Sequence, residues 1–565
     1  MAFAGPSLSE PFWLPSLALL LCLAGCSTTP VDSTMVGAEG PPHTPLVNRG
    51  PPQPPLAERS GTRDVTQEAG AAPVPRETAE PAPAAPPPAT LAAKVTLARG
   101  PVNEGDRIYS RARFAWIQPE PRASKGWLGY LGLGGSVAVR GGTLEKARVR
   151  GAGGCAAWYA IEPVGYVCAG DAATTDARDP VVTALAADAP RTDSPWPYEY
   201  GESTGAPRYV RPPTEQRQRH DEWDLAEHLE LMAASRTGKP VDKLAGLDLS
   251  PAAAGRWGEI PDPASLLEVS PLVREGRPRI ANGSTVAYTR SFELGGRTFV
   301  LTHDHALVPL DRIKPYPRSE FHGVELGSLE GQEALPLAFF RGQDRPKYHR
   351  GPDGAFGPTG ETWPRLAHVG LTGEAVKDGK RTFLATREPG TWLLESEAAV
   401  VRAIESPPPQ VQAMKDGHKT WLDISVLGGT LVAYEDARPV FATLISPGRG
   451  GIPEDGRDPL DTASTPTGTF RVDGKFVTAT MVSSTNDLFV HTEVQYVQNF
   501  HGPHALHAAY WHDAWGEKKS GGCVNLAPID AQRLFAWTEP KVPVDWYGMR
   551  SVPAMGPATV VVVHR

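Results

Sequence analysis

Apolar and polar positions alternate through the last third of the chain, in runs that are typical of β-strands. The first run places Leu422, Ile424 and Val426 on one face, two similar runs follow, and a final apolar stretch covers 558–563. Glycine pairs and an Arg-Pro step separate the runs, and Pro528 suits the first turn of a helix. The pattern therefore predicts a mainly β domain over 418–565 that contains one helix after its principal loop.

Upstream of this domain the pattern favours short strands. Aromatic and β-branched residues recur between glycine-rich turns over 96–175, as in a small barrel. Residues 214–235 have a helical apolar stripe that includes Trp223, and two apolar triplets around a Gly-Gly pair predict a hairpin over 292–301. Further strands are predicted near Phe383 and Trp392. The region 176–410 is thus β-rich or irregular, with room for additional small barrels.

Composition supports a modular, β-rich chain. The 565 residues exceed a single core, so two to four domains are expected. Glycine and proline, at 58 each, favour turns and short strands over long helices. The net charge of −8 and the absence of a long basic run give no indication of nucleic acid as a partner.

The N-terminus has the features of an export signal. An apolar stretch within 1–25 is too short to span a bilayer and ends in Leu-Ala-Gly-Cys, which resembles a bacterial lipobox with Cys26 as the lipidated residue. Ser27 after it is typical of outer-membrane sorting. Residues 1–10 carry no Lys or Arg, and an ordinary cleaved signal is the alternative. We therefore expect an exported, periplasm-facing lipoprotein, held at the outer membrane by its lipid anchor.

A proline-rich tether follows this signal. Fifteen prolines fall between residues 28 and 89, and no aromatic residue occurs between Trp13 and Tyr109. Such a segment cannot bury enough apolar surface to fold. We expect a disordered Pro/Ala-rich linker over 26–95.

Cysteine usage isolates one thiol. Cys155 and Cys168 lie thirteen residues apart, and in an oxidising compartment they are expected to pair, with two buried free thiols as the alternative. If Cys22 leaves with the signal and Cys26 carries lipid, Cys523 remains alone. An unpaired thiol in an exported protein is a candidate nucleophile.

The surroundings of that thiol suggest chemistry. Cys523 lies in Ser-Gly-Gly-Cys-Val-Asn, residues 520–525, and His507 precedes it by sixteen residues. A thiol becomes a strong nucleophile as a thiolate, and an adjacent imidazole is the usual base. An inert core thiol is the alternative for Cys523, and His504 and His512 compete with His507 for the role of base. Papain-type proteases are disfavoured, because there the cysteine precedes the histidine.

At this point the sequence resembles a known family. The segment from Lys419 onward is similar to L,D-transpeptidase catalytic domains of the YkuD-like family: it has the histidine, the Ser-x-Gly-Cys-Val-Asn signature, the turn Thr-Pro-Thr-Gly-Thr-Phe at 465–470 and the Tyr-Trp-His run at 510–512. The resemblance implies a β-sandwich. Glycine-rich turns near 124–137 resemble bacterial SH3-like modules, which implies one or more small β-barrels before the catalytic domain.

The resemblance also implies a mechanism and its residues. Cys523 would attack a peptidoglycan stem peptide, His507 would act as base, and the Ala508 carbonyl would orient that imidazole. Backbone N–H groups around Gly521, Gly522 and Cys523 would stabilise the oxyanion, and Ser520 opens the same catalytic signature. Substrate contacts are expected from the residues flanking the two motifs: Tyr510, Trp511, His512 and Asn525. The account requires the imidazole and the sulfur to meet in a solvent-reachable cleft.

Two departures from the family pattern leave alternatives open. Gly521 stands where the family usually has histidine, and Ala508 where glycine often follows the base. The same site could crosslink stems, attach a protein to the wall, or hydrolyse stems as a carboxypeptidase. The chain could also be an inactive wall-binding lipoprotein.

No cofactor is expected, and the oligomeric state stays open. Zinc could in principle be held near the candidate nucleophile, but the spacing of the available side chains fits no standard zinc pattern; these are His491, His501, His504, His507, His512 and Cys523. His303 and His305 are predicted on alternate positions of one strand face, a geometry that metals can use, but no third ligand is evident and a solvated strand end is favoured.

Overall fold

The computed structural model describes residues 105–123, 126–236, 242–247, 278–327, 329, 332–414, 419–482 and 490–565. The chain is mainly β over this part, as the sequence predicted. The signal segment 1–25, Cys26 and the linker 26–95 lie outside the described residues. Within the described ranges, no helix is both long enough and apolar enough to cross a bilayer.

The C-terminal domain is a two-sheet sandwich. Its strands are β22 Thr420–Ser425, β23 Thr430–Glu435, β24 Arg438–Leu444, β25 Gly468–Arg471, β26 Gly474–Val482, β27 Val490–His501, β28 His504–Ala508, β29 Val524–Leu526, β30 Gly548–Arg550 and β31 Val560–His564. One sheet has its own strands in the order β24-β23-β22-β31-β25, and the other in the order β30-β26-β27-β28-β29. Most neighbours are antiparallel, but β22 pairs in parallel with β31 and β28 with β29.

The alternation read from the sequence builds the core between these sheets. Leu422, Ile424 and Val426 are fully buried there, together with Leu506 and Val524 of the facing sheet. The predicted helix runs over Pro528–Trp537, begins at its proline, and buries Leu534 and Phe535 in the same core. One face of the β26–β29 sheet therefore points into the sandwich, and its opposite face is available to the rest of the chain.

The N-terminal module, residues 105–175, is attached to that second sheet. Its strands are β1 Arg107–Ser110, β2 Ala115–Ile117, β3 Gly129–Leu131, β4 Ser136–Ala138, β5 Arg148–Val149, β6 Ala157–Ala160, β7 Tyr166–Ala169 and β8 Ala173–Thr174, with short helix α1 Leu144–Ala147. Strand β3 pairs with β30, so β2 and β3 extend the C-terminal sheet. A disulfide joins Cys155 and Cys168, the pair expected from the sequence.

The middle module covers residues 199–315, and helix α2 Pro180–Ala187 precedes it. Its strands are β9 Glu199–Ser203, β10 Thr285–Leu294, β11 Arg297–Thr302, β12 Leu307–Pro309 and β13 Ile313–Pro315, which form one sheet in the order β12-β11-β10-β9-β13. Its helices are α3 Glu215–Asp221 and α4 Leu225–Arg236, with 3₁₀ turns at Asp242–Leu244 and Leu310–Arg312. The predicted hairpin is confirmed, since Phe292 pairs with Phe299.

Two expectations for the middle module were wrong. The single helix over 214–235 is broken into α3 and α4, and Trp223 between them is 87% exposed instead of lying on an apolar stripe. His303 and His305 do not share a strand face, because β11 ends at Thr302 and His305 has a φ of +59° in the following turn.

A third module covers residues 324–401. Its strands are β14 Val324–Glu325, β15 Leu337–Phe339, β16 Arg345–Arg350, β17 Phe356–Trp363, β18 His368–Asp378, β19 Arg381–Thr386, β20 Trp392–Leu394 and β21 Ala399–Val401, with a 3₁₀ turn at Glu395–Glu397. Phe383 and Trp392 lie on strands, as predicted. Strand β14 pairs with β24, so this module is joined to the first sheet of the sandwich.

The remaining described elements are helical and lie after the third module. They are α5 Pro409–Gln412, α6 Pro459–Thr462, the helix Pro528–Trp537, which is α7, and a 3₁₀ turn at Pro553–Met555.

Candidate active site

Strand register brings His507 and Cys523 together. In the parallel pair β28–β29, His507 lies opposite Asn525, and Cys523 comes two residues before Asn525. Side chains two residues apart along an extended chain point to the same face. The neighbouring residues agree with this: Leu506 and Val524 point into the sandwich core, whereas Ala505 and Cys523 belong to a cluster on the opposite face. The imidazole and the sulfur thus share one face of adjacent strands.

The His507 ring is fixed by its own strand. Its Nδ1 lies 2.8 Å from the carbonyl oxygen of Ala508, the contact that the sequence led us to expect. If Nδ1 donates to that carbonyl, Nε2 is the nitrogen that accepts a proton. The ring is fully buried, and its centroid lies 5.9 Å from that of Trp511. This arrangement gives His507 the tautomer of a general base.

Cys523 does not lie in an open cleft. The side chain is 0% exposed, and its Sγ lies 3.9 Å from the carbonyl oxygen of Pro503. It packs in an apolar cluster with Ala505 and Tyr510 from its own domain and with residues of two other modules. The expectation of a solvent-reachable sulfur is therefore wrong, because Cys523 is fully buried in a cluster that the catalytic domain shares with two other modules.

The middle module is one of these two, and it packs on the catalytic domain around Tyr510. The Tyr200 ring stacks on the Tyr510 ring with centroids 4.0 Å apart, and Tyr200 donates a hydrogen bond of 2.9 Å to the Glu493 carbonyl. Thr285 Oγ1 lies 2.7 Å from the Tyr510 hydroxyl and accepts from the Thr492 N–H at 2.7 Å. Aromatic stacking and directed hydrogen bonds thus hold β9 and β10 against β27 and the residues that follow β28.

A buried ionic network reinforces the junction. Glu493, only 4% exposed, pairs with Arg113 of the N-terminal module and accepts from Thr478 and Thr480 of β26. Burial alone would raise the pKa of the Glu493 carboxyl, but the charge of Arg113 and its other partners bring that pKa below its usual value. The charged carboxylate therefore ties the N-terminal module to the sheet that carries the candidate nucleophile.

Hydrogen bonds shape the loop that carries Cys523. Ser520 Oγ donates to the Cys523 carbonyl at 2.5 Å and accepts from the Gly522 N–H at 3.1 Å. Thr465, in the predicted turn, donates to the same carbonyl at 3.5 Å and accepts from the Gly448 N–H at 2.8 Å. Gly522 has a φ of +129°, a conformation that favours glycine, and Gly521 beside it is buried. The loop is a tight, buried turn held by these hydrogen bonds rather than an exposed one.

The four predicted substrate residues occupy different environments. Tyr510 is buried under the middle module and donates to the Thr492 carbonyl at 2.7 Å. Trp511 and His512 are half-buried, and the His491 ring stacks on Trp511 with centroids 4.0 Å apart. Asn525 is buried, with its amide 3.1 Å from His512 Nε2. Trp511 and His512 are thus the two positioned to meet a ligand at the protein surface.

Burial keeps the neighbouring histidines neutral. It lowers the pKa of His491 to about 3, with His507 and His512 acting in the same direction. Burial also lowers the pKa of His512 to about 4, assisted by the charge of Lys519. Near neutral pH these two rings therefore add no positive charge beside His507. Among the described residues, no group of three or more His, Cys, Asp or Glu side chains is arranged to hold a metal ion.

Comparison with known proteins agrees with this geometry. The family model for the YkuD L,D-transpeptidase catalytic domain matches residues 419–546. The C-terminal domain is thus similar to this family over residues 419–546, the place that the sequence predicted. No curated protein matches the chain significantly.

Solved structures that resemble the chain also carry this name. The L,D-transpeptidase from Xylanimonas cellulosilytica is 24% identical over 28% of this chain and 70% of that one, with a TM-score of 0.18. The enzyme from Stackebrandtia nassauensis is 23% identical over 28% and 62%, with a TM-score of 0.18. A cysteine-to-serine mutant of the Enterococcus faecium L,D-transpeptidase is 20% identical over 26% and 50%, with a TM-score of 0.20. The chain thus spans half to about two thirds of these relatives, and the assignment rests on the family model.

Sequence reasoning missed the residues that cover the site. Tyr200 and Thr285 stand about 300 and 240 positions before Cys523, in strands whose pattern gives no sign of a partner. The sequence indicates His491 only as a zinc candidate and does not predict its stacking on Trp511. It indicates His504 as a rival base, whereas the structure places the His504 ring against Gly522. The position of His504 in the histidine-rich stretch before the cysteine is the one sequence signal that points to the site.

Proposed function

We propose that the chain is a peptidoglycan L,D-transpeptidase that uses Cys523 as nucleophile and His507 as general base. The observation that carries this proposal is the shared face of β28 and β29, on which both side chains lie. The contact between His507 Nδ1 and the Ala508 carbonyl supports it, since it leaves Nε2 to take up the thiol proton. The match of residues 419–546 to the L,D-transpeptidase family supplies the reaction class.

The proposed reaction has two steps. Nε2 of His507 takes the Cys523 proton, and the sulfur attacks the carbonyl carbon of the third residue of a stem tetrapeptide. The C–N bond to the terminal D-amino acid breaks, and the proton on His507 passes to the leaving amine. An amine of a second stem then attacks the thioester, its proton is taken by His507, and the Cys523 sulfur leaves. The net result is one amide exchanged for another.

Main-chain donors would stabilise the oxyanion of both steps. The proposed donors are backbone N–H groups of the loop around Cys523, whose conformation is held by the hydrogen bond from the Gly522 N–H to Ser520. Asn525 and His512 would support the loop and the edge of the substrate groove through their contact with each other.

Turnover requires that the middle module move away from the site. Cys523 is 0% exposed beneath the cluster that includes Tyr200 and Tyr510, and a stem peptide needs direct access to Sγ. We therefore propose that the closed arrangement is a resting state, and that separation of β9 and β10 from the catalytic sheet opens the groove.

One observation favours a second candidate function. Complete burial of the sulfur, combined with glycine at position 521, fits a wall-binding protein whose catalytic domain no longer turns over. Hydrolysis of stems at the same site is the third possibility, with water replacing the acceptor amine.

Export and lipid anchoring are part of the same proposal. Peptidoglycan lies outside the cytoplasm, and the lipobox-like sequence ending at Cys26 provides a route to the outer membrane. The Cys155–Cys168 disulfide supports an oxidising compartment.

Incubation of the purified protein with stem tetrapeptide muropeptides, followed by mass analysis, separates the three functions. A crosslinked dimer that has lost one terminal amino acid supports transfer. A shortened monomer indicates hydrolysis, and unchanged muropeptides with retained binding to sacculi indicate the inactive protein. Cys523→Ala is the control and should form no product.

A further inference from the structure

A second imidazole lies beside the nucleophile loop. His504 is the first residue of β28, three positions before His507, and only 2% of its surface is exposed. Extension of the β28–β29 register by two residues places it opposite Gly522, the residue before Cys523. The carbonyl that precedes it, that of Pro503, is the group 3.9 Å from the Cys523 sulfur. His504 therefore borders the nucleophile through both its backbone and its ring.

The ring packs directly on the loop. A Cβ added to Gly522 would lie 2.9 Å from the Ser464 carbonyl oxygen, 3.0 Å from His504 Nε2 and 3.1 Å from His504 Cδ2. The two His504 distances are tighter than most real Cβ contacts. The imidazole thus occupies the space above the Gly522 backbone that a side chain would need. On its other side, Gly522 donates its N–H to Ser520 Oγ. The residue before the nucleophile is held between a hydroxyl and an imidazole.

The orientation of the His504 ring is fixed from β27. Nδ1 lies 3.2 Å from the carbonyl oxygen of His501, so Nδ1 is the donor in that contact. With Nδ1 as the donor, the ring presents Nε2 toward Gly522. The His501 ring stacks near the His504 ring, with centroids 6.1 Å apart, so a control histidine is better taken from elsewhere. His349 lies exposed on β16 of the third module and serves that purpose.

We infer that His504 is a positioning residue for the transpeptidase reaction, which fixes the Gly522–Cys523 backbone so that the sulfur and the main-chain donors face the substrate. This inference rests on the proposed function. Position 521 carries no side chain beyond hydrogen, so no other imidazole is supplied by the nucleophile loop itself. His504 takes that place from the neighbouring strand.

The test compares steady-state turnover of muropeptides by His504→Asn, His504→Gln and the control His349→Ala. Asparagine keeps an amide donor near the Nδ1 position for the His501 carbonyl but loses the part of the ring above Gly522, whereas glutamine reaches the Nε2 position. Loss of loop positioning should lower kcat by roughly 10- to 100-fold in His504→Asn while KM stays within about twofold. His504→Gln should recover part of kcat, and His349→Ala should behave as wild type.

Thermal unfolding of each variant identifies a merely structural effect. A His504→Asn protein that melts with wild-type cooperativity and retains wild-type kcat overturns the inference. If kcat and KM change together with the melting temperature, and His504→Gln is no better than His504→Asn, the residue is structural and the inference is also wrong. Absence of turnover in the wild-type protein overturns the proposed function first, whereas wild-type turnover that Cys523→Ala abolishes and His504→Asn leaves intact overturns this inference alone.

Discussion

The hydroxyl oxygens of Thr285 and Tyr510 lie 2.7 Å apart, and this hydrogen bond joins the middle module to the segment that follows the candidate base. Thr285 Oγ1 also accepts from Thr492, and its carbonyl accepts from the Thr492 hydroxyl, both at 2.7 Å. A single threonine thus ties two parts of the catalytic domain to the cover of its own active site.

Thr285→Val should therefore expose the nucleophile. Valine keeps the shape but loses the hydroxyl, and two lost hydrogen bonds of about 1 kcal/mol each should raise the open population roughly 10- to 30-fold. Alkylation of Cys523 by iodoacetamide, followed at its own peptide by mass spectrometry, measures this. Thr289→Val on the same strand is the matched control, since Thr289 donates to Asp188 and to the Leu301 carbonyl, neither of which belongs to the catalytic domain. Equal alkylation rates in wild type and Thr285→Val would show that the module does not control access.

Gly522→Ala should damage the loop. An alanine at φ +129° is strained, and its Cβ would meet the Ser464 carbonyl at 2.9 Å and the His504 ring at 3.0 Å. We expect a loss of roughly 2–4 kcal/mol in the free energy of unfolding, together with loss of turnover. Gly502→Ala is the comparison: its φ is +54°, but nothing lies within 4 Å of an added Cβ, so the loss should stay near 1 kcal/mol. Urea unfolding of both variants gives the difference; equal losses would mean that the contacts of the added Cβ with Ser464 and His504 do not destabilise the loop.

Gly521→His restores the residue that the family signature usually carries. Because the loop already holds Cys523 in place through Ser520 and Thr465, we expect turnover to be preserved or raised. The measurement is kcat/KM on the same muropeptides used for the wild type. A sharp drop in kcat/KM would indicate that the conformation of this loop depends on glycine at position 521.

Stability should fall on mild acidification because of the buried histidines. In the unfolded chain, histidine takes up a proton near pH 6.5, whereas in the folded protein the pKa of His491 is about 3 and that of His512 about 4. Between these values the unfolded state binds more protons, so the free energy of unfolding decreases by about 1.4 kcal/mol per pH unit for each histidine as the pH falls. The effect is absent above about pH 7.

Urea unfolding at pH 7, 6 and 5 checks this slope. His491→Gln, which does not titrate, should show a shallower decrease over the same range than the wild type. Asp530 acts in the opposite direction, because burial raises the pKa of its carboxyl to about 6 and the folded state then binds more protons as the pH falls through this range. The difference between the wild type and His491→Gln cancels this contribution, since Asp530 is present in both. Equal stability of the wild type at pH 7 and pH 5 would contradict the burial of neutral histidines.

The catalytic domain was predictable because its evidence is local. Alternating residues such as Leu422, Ile424 and Val426 give the strand, its face and its burial together, and Pro528 gives the start of the helix. The pairing of His507 with Cys523 followed from their place in ordered motifs around adjacent strands. The hairpin at 292–301 was equally local, with its turn residues at the expected positions.

The cover over the site was not predictable, because contacts between modules leave no local pattern. Tyr200 has the alternation of an ordinary strand, and nothing in its neighbourhood shows that its ring stacks on Tyr510. The prediction for Trp223 failed for a different reason. Helical spacing placed it on an apolar face, but the helix is interrupted at this point and the side chain is exposed. Glycine neighbours suggested an exposed thiol, whereas here they allow a tight, buried loop.

The most direct test of the account is intact-mass analysis of the protein after brief mixing with a stem tetrapeptide and no acceptor. We predict a covalent adduct on Cys523 with the mass of the stem less its terminal amino acid, absent from Cys523→Ala and slowed by about 100-fold or more in His507→Ala. Adduct formation should also be faster in Thr285→Val than in Thr289→Val. A wild-type protein that gains no mass, even when Thr285→Val leaves Cys523 open to alkylation, would contradict the assignment of Cys523 as a working nucleophile.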